Sequence, residues 1–175
     1  LSMVSDLLLE SGISLQQLDG IAFGEGPGSF TGLRIACGVA QGLAFAMNIP
    51  VVGVSTLKAL ATQVGNAKVV VALDARMGEI YYAAYEKITD QDWKTVNAPI
   101  LCTPRNVPNL TGNDWVGCGS GFDVFNNELS ERYCNHIRET RSGLFPRAKE
   151  IVQLALPVLK CGNGIHPSEA VPSYI

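Results

Sequence analysis

One stretch constrains the fold more than any other. Ile21-Ala22-Phe23 is a short apolar run, GEGPGSFTGLR from Gly24 to Arg34 follows it with four glycines, and from Ile35 to Met47 only Gln41 is polar. A strand, a glycine-rich loop and a helix in that order make the local setting in which α/β proteins hold phosphates. A helix apolar on all sides should be buried on all sides, yet its own sheet covers one face only. Gly38, Gly42 and Ala46 form one row of small residues along it; Ala36, Ala40 and Ala44 form another. Either the helix is internal, held between its sheet and a neighbouring helix, or one of its sides is a protein–protein face. The nearly as apolar stretch Leu1–Leu9 is a candidate to share that face.

The loop fits no phosphate pattern in full. The Walker A pattern needs a lysine, and none lies here. The dinucleotide pattern G-x-G-x-x-G fails because Ser29 or Thr31 stands at the third glycine, depending on where the pattern starts. Pro27 also removes a backbone N–H that a phosphate nest would use. Two readings stay open: a phosphate loop, or glycine turns with Ser29 or Thr31 capping the helix.

LSMVSDLLLESG reads as a helix with Gly12 beyond its end, and Ser14-Leu15-Gln16-Gln17 as a capping box. Val51–Val54 reads as a strand, after which Ser55 caps a helix from Thr56 to Val64. KVVVALDARMGEIYYAAYEK predicts two strands, Lys68–Leu73 and Glu79–Glu86, about a tight turn at Ala75–Gly78. Further strands are expected near Thr95–Cys102 and over Asp114–Cys118. A polar stretch follows, and Pro146 opens a closing helix to about Leu159. The order predicts an α/β protein of two lobes meeting near residues 62–67. In the hairpin turn, Asp74, Arg76, Gly78 and Glu79 could do acid–base or phosphate work, or form an ion-paired turn with Gly78 at positive φ.

Composition narrows the function. A net charge of -3 with no polybasic run lacks the footprint for gripping nucleic acid unaided. The longest near-apolar helix, expected over Leu33–Met47, is too short for a membrane span. Five cysteines without a C-x-x-C pair fit reduced thiols in a cytoplasmic protein, not disulfides or zinc. Leu1 opens in mid-pattern, which reads as a fragment.

GPGSFTGLRIACGVAQGLAFAMNIPVVGVSTLKALA, with VVVALDARMGEIYYAAY downstream and a closing Glu169–Tyr174 that matches a Pro-x-Tyr segment, resembles the TsaB (YeaZ) family. The resemblance is strong over residues 1–102, weak over 103–165, and returns at the end. It implies an actin/sugar-kinase/Hsp70 ATPase-like fold with two RNase H-like lobes. The first lobe would be residues 1–63, lacking its N-terminal strands; the second 64–168; and 169–175 would return to the first. It also implies a non-catalytic scaffold or activator for TsaD, which transfers a threonylcarbamoyl group to adenosine 37 of tRNA. TsaD would bind as a heterodimer, with TsaE joining in an ATP-linked complex, tRNA contacted only indirectly, and a homodimer forming when the chain is alone. The partner face would comprise Leu1, Val4, Leu8, Ile35, Ala36, Val39, Ala40, Gly42, Leu43 and Ala46. Gly26, Pro27, Gly28, Ser29, Thr31, Gly32 and Arg34 would be the inherited motif loop. Thr56 and Leu60 stand where TsaD carries its His-x-x-x-His metal pair, so no metal or cofactor is expected. The alternative is a glycoprotease-like peptidase or weak ATPase. Against a peptidase, the chain carries neither H-E-x-x-H nor G-x-S-x-G.

Overall fold

The computed structural model describes residues 1–89 and 92–175. Its first helix, α1 (Ser2–Ser11), ends at Gly12, whose φ of 69° is left-handed, and it buries none of its residues. After it, the Gln17 side chain accepts the Ser14 N–H at 2.8 Å, closing the expected capping box. Strands β1 (Ile21–Gly26) and β2 (Val51–Ser55) pair in parallel, Ile21 opposite Val51 and Gly24 opposite Val54. Parallel strands require a crossover, and α2 (Phe30–Met47) supplies it. Phe23, Cys37, Ala40, Ala44 and Val51 pack together where α2 seats on this sheet.

Ser55 caps α3 (Thr56–Val64), accepting the Lys58 N–H, and Gly65 ends that helix in the left-handed region. The second sheet has the order β5-β4-β3-β6-β7, with β3 (Lys68–Arg76), β4 (Glu79–Lys87), β5 (Trp93–Cys102), β6 (Trp115–Cys118) and β7 (Ile137–Arg141). It is mixed: β3, β4 and β5 are antiparallel neighbours, whereas β3, β6 and β7 are parallel. The run Val69-Val70-Val71-Ala72 is buried on both faces, as a central strand must be. Val69 and Val71 meet Leu57, Leu60 and Val64 of α3; Val70 and Ala72 meet Trp115, Phe122 and Tyr133 on the other side. Thus α3 covers the large sheet, while its Ala59 joins Val52 and Val54 of the small one.

Three elements depart from the sequence expectation. The polar stretch after Cys118 folds into α4 (Ser120–Val124), α5 (Asn126–Arg132) and the edge strand β7. Phe122, Leu129 and Tyr133 are buried there, so spaced apolar anchors suffice to fold a mostly polar segment. α6 (Ala148–Lys160) lies in the chain region assigned to the second lobe, yet its Ile151 and Ala155 pack on Val52 and Val54 of the small sheet. Finally, α2 starts at Phe30, not Leu33, and reaches 18 residues with a mean hydropathy of 1.3. By length and composition it could cross a membrane; its Leu33, Cys37, Ala40 and Ala44 are instead buried within the protein.

Candidate functional site

The glycine loop leaves β1 at Gly26, whose φ is 129°. A Cβ there would lie 2.5 Å from the Ser173 carbonyl oxygen, so both backbone conformation and the close approach of the C-terminal segment require glycine. The Ser29 side chain accepts the Gly32 N–H at 3.4 Å and its carbonyl accepts that of Leu33 at 2.9 Å. Ser29 is therefore the cap of α2, and Thr31 is an exposed residue of the first turn. The Glu25 carboxylate fills the space that a Cβ at Gly53 would need, and burial raises its pKa.

Thr56 and Leu60 are both spent on the interior. The Thr56 hydroxyl donates to the Pro27 carbonyl at 2.5 Å, pinning the loop to the start of α3. Leu60 is fully buried between α3 and the large sheet. The histidines are placed elsewhere: His136 Nδ1 lies 2.7 Å from the Gly112 carbonyl, and His166 caps the turn Pro167–Glu169. Among the described residues, no three His, Cys, Asp or Glu side chains gather as a metal site.

The two small-residue rows of α2 face opposite ways. Ala40 is 3% exposed and Ala44 fully buried against the sheet. Ala40 is consequently not available to a partner, which corrects its inclusion in the face. Gly38, Gly42 and Ala46 are exposed, and a Cβ added at Gly38 or Gly42 would touch nothing within 4 Å. Ile35 and Phe45 are 61% and 69% exposed on the same outer side. Ala36, Val39 and Leu43 are half-buried at the edges, as are Val4 and Leu8 of α1, whereas Leu1 is exposed. The C-terminal segment flanks the outer face. With α2 it bounds an open groove of about 350 Å³ lined by Gly38, Gln41, Gly42, Phe45, Pro167 and Ser168. Sequence reasoning passed over Phe30, Phe45 and Tyr174; the i, i+4 pair Phe30/Arg34 was the available signal.

At the hairpin turn, the Asp74 carboxylate accepts the Arg76 N–H at 2.9 Å and pairs with its guanidinium at 3.4 Å. The Asp74 N–H is in turn held by Ser120 Oγ at 3.1 Å. Arg76, Met77 and Gly78 all have positive φ, and Glu79 resumes the strand. Asp74 is thus committed to its own turn.

The family model described as TsaD, tRNA N6-adenosine threonylcarbamoyltransferase, matches residues 1–160. The tRNA threonylcarbamoyladenosine biosynthesis protein TsaB of Escherichia coli is 35% identical over 183 residues, spanning 100% of this chain and 78% of that protein. The chain belongs to the TsaB family. The TsaB of Haemophilus influenzae is 40% identical over 125 residues, covering 65% of this chain and 53% of that protein. The solved structure of YeaZ from Pseudomonas aeruginosa superimposes with a TM-score of 0.90 at 37% identity, over 99% of this chain and 82% of that one. A second Pseudomonas aeruginosa structure, described as having similarity to peptidase YEAZ, gives a TM-score of 0.89 at 37% identity, over 99% of this chain and 81% of that one. TsaB relatives are thus named for the biosynthesis of a modified tRNA nucleoside, and the fold is that of YeaZ.

Proposed function

We propose that this chain is a non-catalytic scaffold and activator of TsaD in the threonylcarbamoylation of adenosine 37 in tRNA, working in the cytoplasm. One observation carries the reading: an apolar helix face lies open beside a glycine loop whose neighbouring side chains are used up inside the fold. A face of exposed Ile35 and Phe45 around bare glycines suits close helix–helix packing. In this reading TsaD docks on α2, with Leu1, Val4 and Leu8 of α1 beside it. The same face pairs two copies when TsaD is absent, TsaE joins the complex in an ATP-linked step, and tRNA is met through the complex. The fold is read as a two-lobe relative of actin, sugar kinases and Hsp70: residues 1–63 with the returning segment 169–175 form the first lobe, and residues 64–168 form the second except for α6, which packs on the first. Asp74, Arg76, Gly78 and Glu79 then act as a structural turn.

The peptidase alternative draws on the description of one neighbour, but here Ser29 Oγ caps a helix while the His136 and His166 imidazoles bond the Gly112 carbonyl and Ser168. Gly42→Leu is the test. It places a large side chain in open space on the docking face, where overpacking against a partner costs about 1–3 kcal/mol or more. The variant is expected to keep its circular dichroism spectrum and to fail to co-elute with TsaD. Co-elution with native affinity would place the partner surface elsewhere.

A further inference from the structure

The C-terminal segment runs along α2 in the opposite direction. His166 meets Phe45 edge-on at 6.4 Å, the Ala170 carbonyl accepts from Gln41 Nε2 at 2.8 Å, and Tyr174 reaches Arg34 and Phe30. At that last end the Arg34 guanidinium carbon stacks 3.8 Å from the Phe30 ring centroid. Its Nε–H donates to the Tyr174 hydroxyl at 3.0 Å, and the two rings are 5.9 Å apart. The side chain is therefore held in place by an aromatic frame while remaining exposed.

Its charge has no counterpart among the described residues. The first turn of α2 contains no acidic residue, and among the described residues no carboxylate pairs with Arg34. A cation near a helix N-terminus works against the helix dipole. A guanidinium stacked on a ring keeps its terminal N–H groups free for a bidentate carboxylate, and one already held in place loses less freedom on binding. Gly38 and Gly42 lie four and eight residues further along the same row, about 6 and 12 Å along the helix axis.

Resting on the partner-face reading above, we infer that Arg34, framed by Phe30 and Tyr174, is the charged anchor of that face and takes a carboxylate from the docking helix of TsaD. One partner helix then sets an apolar side chain over the glycines and an Asp or Glu on Arg34. An arginine and aromatics beside an apolar patch match the composition of binding hot spots.

The experiment is the dissociation constant for TsaD, measured at low and high salt with the wild-type chain and with Arg34→Gln, Arg34→Lys, Tyr174→Phe and Gly42→Leu. Arg34→Gln is expected to fold normally, to weaken binding about tenfold or more, and to flatten its salt dependence. Arg34→Lys should recover only part of the loss, and Tyr174→Phe should lose less than Arg34→Gln. If Arg34→Gln binds with native affinity and salt dependence while Gly42→Leu does not bind, the anchor is refuted and the partner face stands. If the wild-type chain does not bind TsaD, both fall. An effect of Arg34→Gln on self-association alone, or on tRNA binding by an intact complex alone, also overturns the assignment.

Discussion

At the residue scale, the loop is governed by side chains that have been taken into the fold. Thr56 and Leu60 show this most directly: one bonds the Pro27 carbonyl and the other fills the core. Glu25 is the exception, a carboxylate partly withdrawn from water beside Gly53, with no hydrogen bond or ion pair among the described residues. Burial raises its folded pKa above the unfolded value. The native state therefore holds this proton to higher pH than the unfolded chain does, and stability falls as pH rises through that window. Glu25→Gln is expected to raise the melting temperature at pH 7. The gain should vanish below the ordinary carboxylate pKa of about 4.3, where both forms are neutral. Thermal melts at the two pH values test this, and an equal shift at both would disprove the electrostatic origin.

At the element scale, α2 separates into a packing row and an open row. Ala40→Leu pushes a large side chain into the sheet contact and is expected to destabilise the fold by about 1–3 kcal/mol. Gly38→Ala adds a methyl group where nothing lies within 4 Å, and is expected to stabilise the isolated chain by about 0.5–1 kcal/mol. Urea unfolding of both variants measures the contrast. A destabilised Gly38→Ala would mean that the row is already packed. Both rows were legible as small residues with helical spacing. Their direction was not, because helical periodicity places residues on faces without saying which face meets the sheet.

At the scale of the whole molecule, α3 and α6 join the two cores. Glu150, on the first turn of α6, is 4% exposed and takes two hydrogen bonds from Arg147, at 3.0 and 2.6 Å. The Gln63 amide of α3, oriented to satisfy its neighbours, accepts from Arg147 Nε at 2.7 Å and donates to the Phe145 carbonyl at 3.0 Å. The Arg147 guanidinium holds the Glu150 carboxyl below its ordinary pKa. A depressed acid contributes its stability above the unfolded pKa and loses it as pH falls through the folded one. Arg147→Ala leaves a buried carboxylate without this partner, and is expected to cost about 1–3 kcal/mol at pH 7. Denaturation at a pH below the depressed folded pKa of Glu150 should show a much smaller difference, since the carboxylate is then protonated in both proteins. A deficit independent of pH would assign the loss to packing.

Strand, loop and helix from Ile21 to Met47, a cap at Ser29 or Thr31, the cap at Ser55, and the two strands about the Asp74 turn follow from local sequence alone; the choice of Ser29 came from the structure. Each rests on a short-range rule: apolar periodicity, a side-chain oxygen at a helix start, or a turn residue at positive φ. Family membership was also legible there, because the run Gly26–Ala61 is long and specific. What only the tertiary structure decided depends on partners distant in the chain. Ser173 lies against Gly26, Ala170 against Gln41, and Tyr174 against Arg34, so the flank of α2 is built by residues more than a hundred positions away. α6 settled on the small sheet because that face of Val52 and Val54 needed covering, and Ala40 turned inward because Phe23 and Val51 lay beneath it. No local pattern encodes such choices, since they are made by which apolar surfaces remain to be buried once the local elements have formed.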